Sequence, residues 1–274
     1  VMKLQQEMGE WKLMKRKSEN LWQKEWQIIT KKNQVYLHKH KEEKPFFLNE
    51  KIASHVPAKL QDTLNQAFLK AFKLIYEKGN GIIEKTYGKE QQEQKFQVNE
   101  FTVNLTGKRK DLKAFTKQAG SRNRINLLLS GVEGIGMGLV GSGLPDIPLF
   151  TGVLLKSIYE IALSFGYEYE SVRERIFILK IIEGALESGE NLAETDITLD
   201  EMIRGGDAGI DLDSQMTRTA ERLSEELLYM KFLQGIPIAG VVGGLSDTVY
   251  LKKITEYAHL KYYKRFVYEH IHIE

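Results

Sequence analysis

The chain contains no cysteine, which excludes disulfides, iron–sulfur ligation and thiolate zinc sites and fits a reducing compartment. It also lacks the strand–helix alternation of a parallel α/β sheet, a Gly-Lys-Ser/Thr phosphate loop and a Gly-x-Ser-x-Gly nucleophile turn. The histidines avoid the central glycine-rich region, so hydrolysis by a histidine-activated serine has no support. Residues 1–26 are rich in Lys and Glu, with no apolar core followed by a small-residue cleavage site. The expectation is a cytoplasmic protein without a secretory signal. Long uncharged apolar runs are missing too, although a spanning helix needs about 20 mostly apolar residues. Glu133, Asp146 and Lys156 interrupt the most apolar region, and the next is uncharged only over 232–246.

What is abundant is glycine in two places. Residues 125–167 carry it at 131, 134, 136, 138, 141, 143 and 152, broken once at Pro145-Asp146-Ile147-Pro148. A weaker echo covers 235–258, and Gly143-Leu144-Pro145-Asp146 is matched by Gly244-Leu245-Ser246-Asp247. Gly134 and Gly138 form Gly-x-x-x-Gly, a spacing that lets helix backbones approach closely. The run Gly136 to Gly141 also fits Gly-x-Gly-x-x-Gly, but a dinucleotide site needs a long helix opening there, and Pro145 follows within four residues. Two close-packed helical hairpins, hinged at Asp146 and at Asp247, are the expectation.

The net charge of +2 conceals segregation: residues 1–44 carry eleven Lys/Arg against six Glu, and 187–226 carry twelve Asp/Glu against three Arg. Apolar spacing of three and four predicts helices over about 8–36, 58–77, 111–120, 149–165, 171–187, 214–232 and 247–270. Residues 96–105 alternate and read as a loop or a small β-hairpin, and 187–213 reads as an exposed acidic loop with short helical pieces. The class is all-α, a helical bundle with two glycine-rich hairpins. Residues 1–45 form an amphipathic helix and linker, and 46–274 the main helical domain.

Metal sites fail on spacing. A calcium loop read from Asp211 puts Met216 at position 6 and Arg222 at position 12, where glycine and glutamate are required. The His38/His40 and His270/His272 pairs lack further ligands, and no cofactor is implied. The polar groups best placed for a role are Asp146 and Asp247 at the two turns, with Arg173 and Arg175 as partners. They serve as helix caps, or as ligand or acid–base groups in a cleft between the hairpins, which is the hydrolase-like alternative. Trp11, Trp22 and Trp26 on the first helix, and Lys261, Tyr262, Tyr263, Lys264 and Arg265 on the last, are candidate membrane contacts. The same first helix could instead dock on the protein's own core. Nucleic-acid binding through 252–265 is opposed by the acidic stretch.

The run GLPDIPLFTGVLLKSIYEIALSFGYEYESVRERIFILKIIEGAL and the closing run IPIAGVVGGLSDTVYLKKITEYAHLKYYKRF resemble the EcsC family over roughly residues 50–270. Asp247 departs from the asparagine the family tends to carry. The resemblance implies a helical, cytoplasmic or membrane-peripheral protein with no established activity. The family's namesake is encoded beside the ATPase and membrane subunits of an ABC transporter, so lipid, the inner membrane face and transporter subunits are the implied partners. The leading expectation is a non-catalytic protein.

Overall fold

The computed structural model describes residues 2–42, 58–78, 88–120, 147–207, 209–233 and 245–271, with side chains in the first helix from Leu21 and in the last from Tyr250. Among the described residues there are nine helices and no strand: α1 (Met2–Lys39), α2 (Ala58–Lys78), α3 (Lys89–Thr106), α4 (Arg109–Ala119), α5 (Ile147–Ser164), α6 (Val172–Leu186), α7 (Gly189–Ile203), α8 (Leu212–Leu233) and α9 (Leu245–Ile271). All seven helices expected from apolar spacing are present. The two glycine-rich runs, with Pro145 and Asp146, lie outside the described residues.

Helices α5 and α6 are apolar around most of their circumference, and such helices must be central. From Val153 to Leu163 every residue of α5 is buried, and so is every residue of α6 from Ile176 onward. Their neighbours follow. Helices α2, α3, α4 and α9 pack on α5; α7, α8 and α9 pack on α6; α1 lies along α9 and touches α7; α2 pairs with α8. Leu21, Trp22 and Ile29 of α1 belong to the same core, so the N-terminal helix docks on the protein rather than standing apart.

Aromatic rings close the end of the bundle where α1, α3, α4 and α5 meet α9. Phe266 contacts Trp22, Phe96, Phe115 and Phe165 at centroid distances of 5.6, 6.2, 5.2 and 5.8 Å, within the range where offset and edge-on ring pairs attract. Local signals set several helix ends. Ser171 accepts a hydrogen bond from the Glu174 N–H at the start of α6, as an N-cap serine should. Gly166 at φ 82° ends α5, and the Tyr167 N–H reaches back to the Ala162 carbonyl, the left-handed finish that glycine favours.

Two expectations are corrected. Residues 96–105 are helical, not a β-hairpin: Phe96 and Val103 are seven apart, share one helix face and turn inward, and Gly107 at φ 58° caps the helix. Tertiary packing of that pair overrides the local alternation. The stretch 187–213 is not an exposed loop, because α7 occupies 189–203 and buries Leu192, Thr195, Asp196, Leu199, Met202 and Ile203. Its acidity is divided between a solvated face and an inward face that meets cations on α9.

Close approach at two glycines yields a stability test. A Cβ on Gly184 would lie 2.9 Å from Thr195 Cγ2 and 3.0 Å from Tyr257 Cε1, and one on Gly166 would lie 2.5 Å from the Phe96 ring. Gly184→Ala should therefore destabilise by about 1–3 kcal/mol through overpacking. Gly166→Ala should cost at least as much, since it adds left-handed backbone strain. Urea unfolding followed by circular dichroism checks both, and Gly205→Ala, with open space around it, should cost less than Gly166→Ala.

Candidate functional site

The densest polar chemistry lies along one segment of α9, residues 261–265, which meets carboxylates from α1, α6 and α7. The Lys261 ammonium is fully buried and bonds Asp196 at 2.5 Å and Asp200 at 3.1 Å. Lys264 bonds the other Asp200 oxygen at 2.6 Å and lies over the Trp26 ring. Asp196 also accepts from the Tyr257 hydroxyl and the Asn33 amide, each at 2.7 Å. One turn away, Glu174 accepts from the Tyr262 hydroxyl and from Arg265, both at 2.7 Å. Arg265 stacks on Tyr167, whose hydroxyl donates to Glu269. Glu25 of α1 accepts from Tyr263 at 2.8 Å and from Arg109 at 3.2 Å.

A smaller cluster joins α6 to α8. Glu183 accepts from Lys180, Gln215 and Arg218 at 2.8, 2.8 and 3.1 Å, and Glu187 accepts from Thr195 at 2.7 Å. Buried charges require this degree of pairing, because an unpaired one costs several kcal/mol.

The electrostatics follow from burial set against pairing. Burial pushes the Asp200 carboxyl up, but Lys261 and Lys264 outweigh it and hold it below the usual carboxylate range. Burial likewise opposes Lys180 and Gln215 at Glu183, and the donors win. At Lys261 burial prevails over Asp196 and Asp200, so the ammonium is lowered. Tyr257 and Tyr262 are raised well above their ordinary value, first by burial and then by the carboxylates they donate to. These phenols therefore stay protonated and act as fixed donors.

The candidate membrane contacts Lys261, Tyr262, Tyr263 and Lys264 are thus turned inward, each at most 5% exposed, and Arg265 is largely covered. Trp22 is buried against Phe266 and His270, and Trp26 packs on Tyr268. Their amphipathic character serves contact between helices rather than a free face. Arg173 clamps the end of α7 by donating to the Met202 and Gly206 carbonyls, and Arg175 stacks on the Tyr76 ring at 4.8 Å. Asp146, and the side chains of Trp11 and Asp247, lie outside the described residues. Asp211, the first residue of the rejected calcium loop, caps α8 by accepting from the Ser214 N–H.

Sequence reasoning missed Asp196, Asp200, Glu174 and Glu25. The first two stand four apart on α7 and face Lys261 and Lys264, three apart on α9. Complementary charges at helical spacing were the available signal.

What the site can do chemically is limited by space and by metal ligands. Among the described residues no group of three or more His, Asp or Glu could hold a metal ion. A shallow groove of about 290 Å³ runs between α1 and α9, past Ile29, Val35, Tyr36, His259, Leu260 and Tyr263. The α9 segment works as an electrostatic clamp that fastens α1, α6 and α7 to α9.

The clamp makes acid sensitivity predictable. For Asp200 and Glu183 the folded value lies below the unfolded one, so the stability they contribute is full above the ordinary carboxylate range of about 4 and is lost as pH falls below that range through their folded values. The urea midpoint should drop over that window. Asp200→Asn should flatten that drop and lower stability at neutral pH by about 3 kcal/mol, because Lys264 then stays buried without its carboxylate.

No solved structure matches the chain. The uncharacterised protein YdbA of Bacillus subtilis (strain 168) is 27% identical over 161 residues, covering 55% of this chain and 56% of that protein; the match thus spans little more than half of the relative's length. The EcsC protein family profile matches residues 7–267, from within α1 almost to the end of α9. That span takes in every helix whose packing has been described, and the chain belongs to the EcsC protein family.

Proposed function

We propose that this EcsC family member works without catalysis, as a helical protein at the cytoplasmic face of a membrane that binds lipid or a membrane helix of an ABC-transporter component. The observation that carries this reading is an apolar stripe on the outside of α3, where Val98, Phe101 and Leu105 are 65, 67 and 59% exposed at a spacing of three and four. Single exposed apolar residues are ordinary, but a row of three large ones on one helix face is the kind of surface that contacts a partner or a bilayer. The saturated carboxylates along α9 and α6 support the non-catalytic part, since a general acid or base must reach its substrate. No helix among the described residues is long and apolar enough to cross a membrane, which suits a peripheral attachment through a surface.

Membrane fractionation of the expressing cell, with lipid extraction from the purified protein, tests the reading. The expected result is recovery of a substantial share with the membrane pellet, released by salt or carbonate, with lipid or a transporter membrane subunit retained on mild-detergent purification. Complete recovery in the soluble fraction with neither retained would overturn it.

A further inference from the structure

The two helices of the α3–α4 hairpin turn their inner faces the same way. Phe96 of α3 and Phe115 of α4 pack on each other at 6.1 Å and both pack on Phe266. The hairpin is tied across by Asn99 donating to Gln118 and by Thr106 donating to Asp111. Their opposite faces therefore form one outer surface. At roughly 100° per residue, Val98, Phe101 and Leu105 fall on the side of α3 away from Phe96 and Val103. On α4, Lys110, Lys113 and Lys117 recur at three and four, away from the buried Leu112, Phe115 and Ala119. All three lysines are exposed, as is Lys108 in the turn.

Around Phe101, Leu105 and the outer side of α4 the charge on this surface is of one sign. Arg109 turns back to the buried Glu25 and is committed to the fold, whereas Lys108, Lys110, Lys113 and Lys117 project outward. Of the hairpin's acidic groups, Glu100 lies 3.3 Å from His270 and Asp111 is held by Thr106. Glu93 sits beside Glu168, and Glu90 stands at the start of α3, about two turns before Val98 and three before Phe101.

We propose that the outer face of the α3–α4 hairpin docks on an anionic lipid bilayer, with the apolar stripe of α3 entering the headgroup–acyl boundary and the lysines of α4 facing lipid phosphates. This rests on the membrane-peripheral reading above and assigns that attachment to one surface. An apolar stripe alone would suit a second copy or a partner helix equally well. The four clustered ammonium groups decide among these, because they repel one another across a self-association and match a surface of negative charge. Lysine stems can lie along the apolar row while their heads reach phosphate. The arrangement has the two elements, buried apolar area and attraction to anionic lipid, on which interfacial binding depends.

Flotation of the full chain on vesicles of phosphatidylcholine alone and of phosphatidylcholine mixed with phosphatidylglycerol tests the proposal. The wild type should float with the anionic vesicles, weakly or not at all with the neutral ones, and less as salt is raised. Lys110→Glu/Lys113→Glu/Lys117→Glu should weaken partitioning by about a hundredfold or more, and Val98→Ser/Phe101→Ser/Leu105→Ser by about tenfold or more. Both variants alter exposed side chains and should keep the wild-type circular dichroism and melting temperature. Lys31→Glu/Lys39→Glu on α1, also exposed, should float like the wild type. A wild type that floats while both hairpin variants float unimpaired overturns the assignment to this hairpin and leaves the peripheral reading standing. Equal flotation on neutral vesicles overturns the charge-based docking. Failure to float on either vesicle overturns the docking, whereas the peripheral reading itself falls only if fractionation and retained lipid or transporter subunit also fail. Self-association that the serine variant abolishes, without flotation, overturns it in favour of a second copy.

Discussion

Pairing of the α9 cations with carboxylates on other helices is the constraint on which the rest of the bundle depends. Lys261 and Lys264 can be buried because Asp196 and Asp200 stand opposite them, and Asp196 can be buried because Tyr257 and Asn33 also donate to it. Removing any member leaves a desolvated charge, so the register of α9 against α7 is specified more sharply than apolar packing alone would specify it. The same segment holds α6 through Glu174 and α1 through Glu25. Three helices are thus located against α9 by five consecutive residues.

Aromatic packing and ionic pairing divide the length of α9 between them. Around Phe266 the contacts are rings from α1, α3, α4 and α5, while one turn earlier they are charge-assisted hydrogen bonds to α6 and α7. Ring contacts tolerate small shifts, and hydrogen bonds to a buried carboxylate do not. This division turns the amphipathic residues of α1 and α9 toward one another, which leaves the α3–α4 hairpin as a surface where apolar and basic side chains face outward together.

Much of the helical pattern was legible in the sequence because three-and-four apolar spacing, the N-cap at Ser171 and the stop at Gly166 are local properties. The β-like alternation of 96–105 misled for a related reason: Phe101, Val103 and Leu105 alternate as on one strand face, while Phe96 and Val103, seven apart, share a helix face, and only packing on Phe266 and the core decides between them. The acidic stretch misled because charge density suggests solvation, whereas Asp196 and Asp200 of α7 are paired across 61 or 64 residues of chain with α9.

By itself the sequence determined the all-α class, most helix positions, the family and the failure of dinucleotide, calcium and serine-hydrolase patterns, since each rests on residues near one another in the chain. Only the tertiary structure decided which way the charged and aromatic residues face. A lysine–tyrosine-rich helix end looks the same in sequence whether it meets lipid phosphates or buried aspartates. The inward turn of Lys261 to Lys264 and the outward turn of Lys110 to Lys117 depend on where carboxylates from distant segments are brought, and that is a property of the packed bundle.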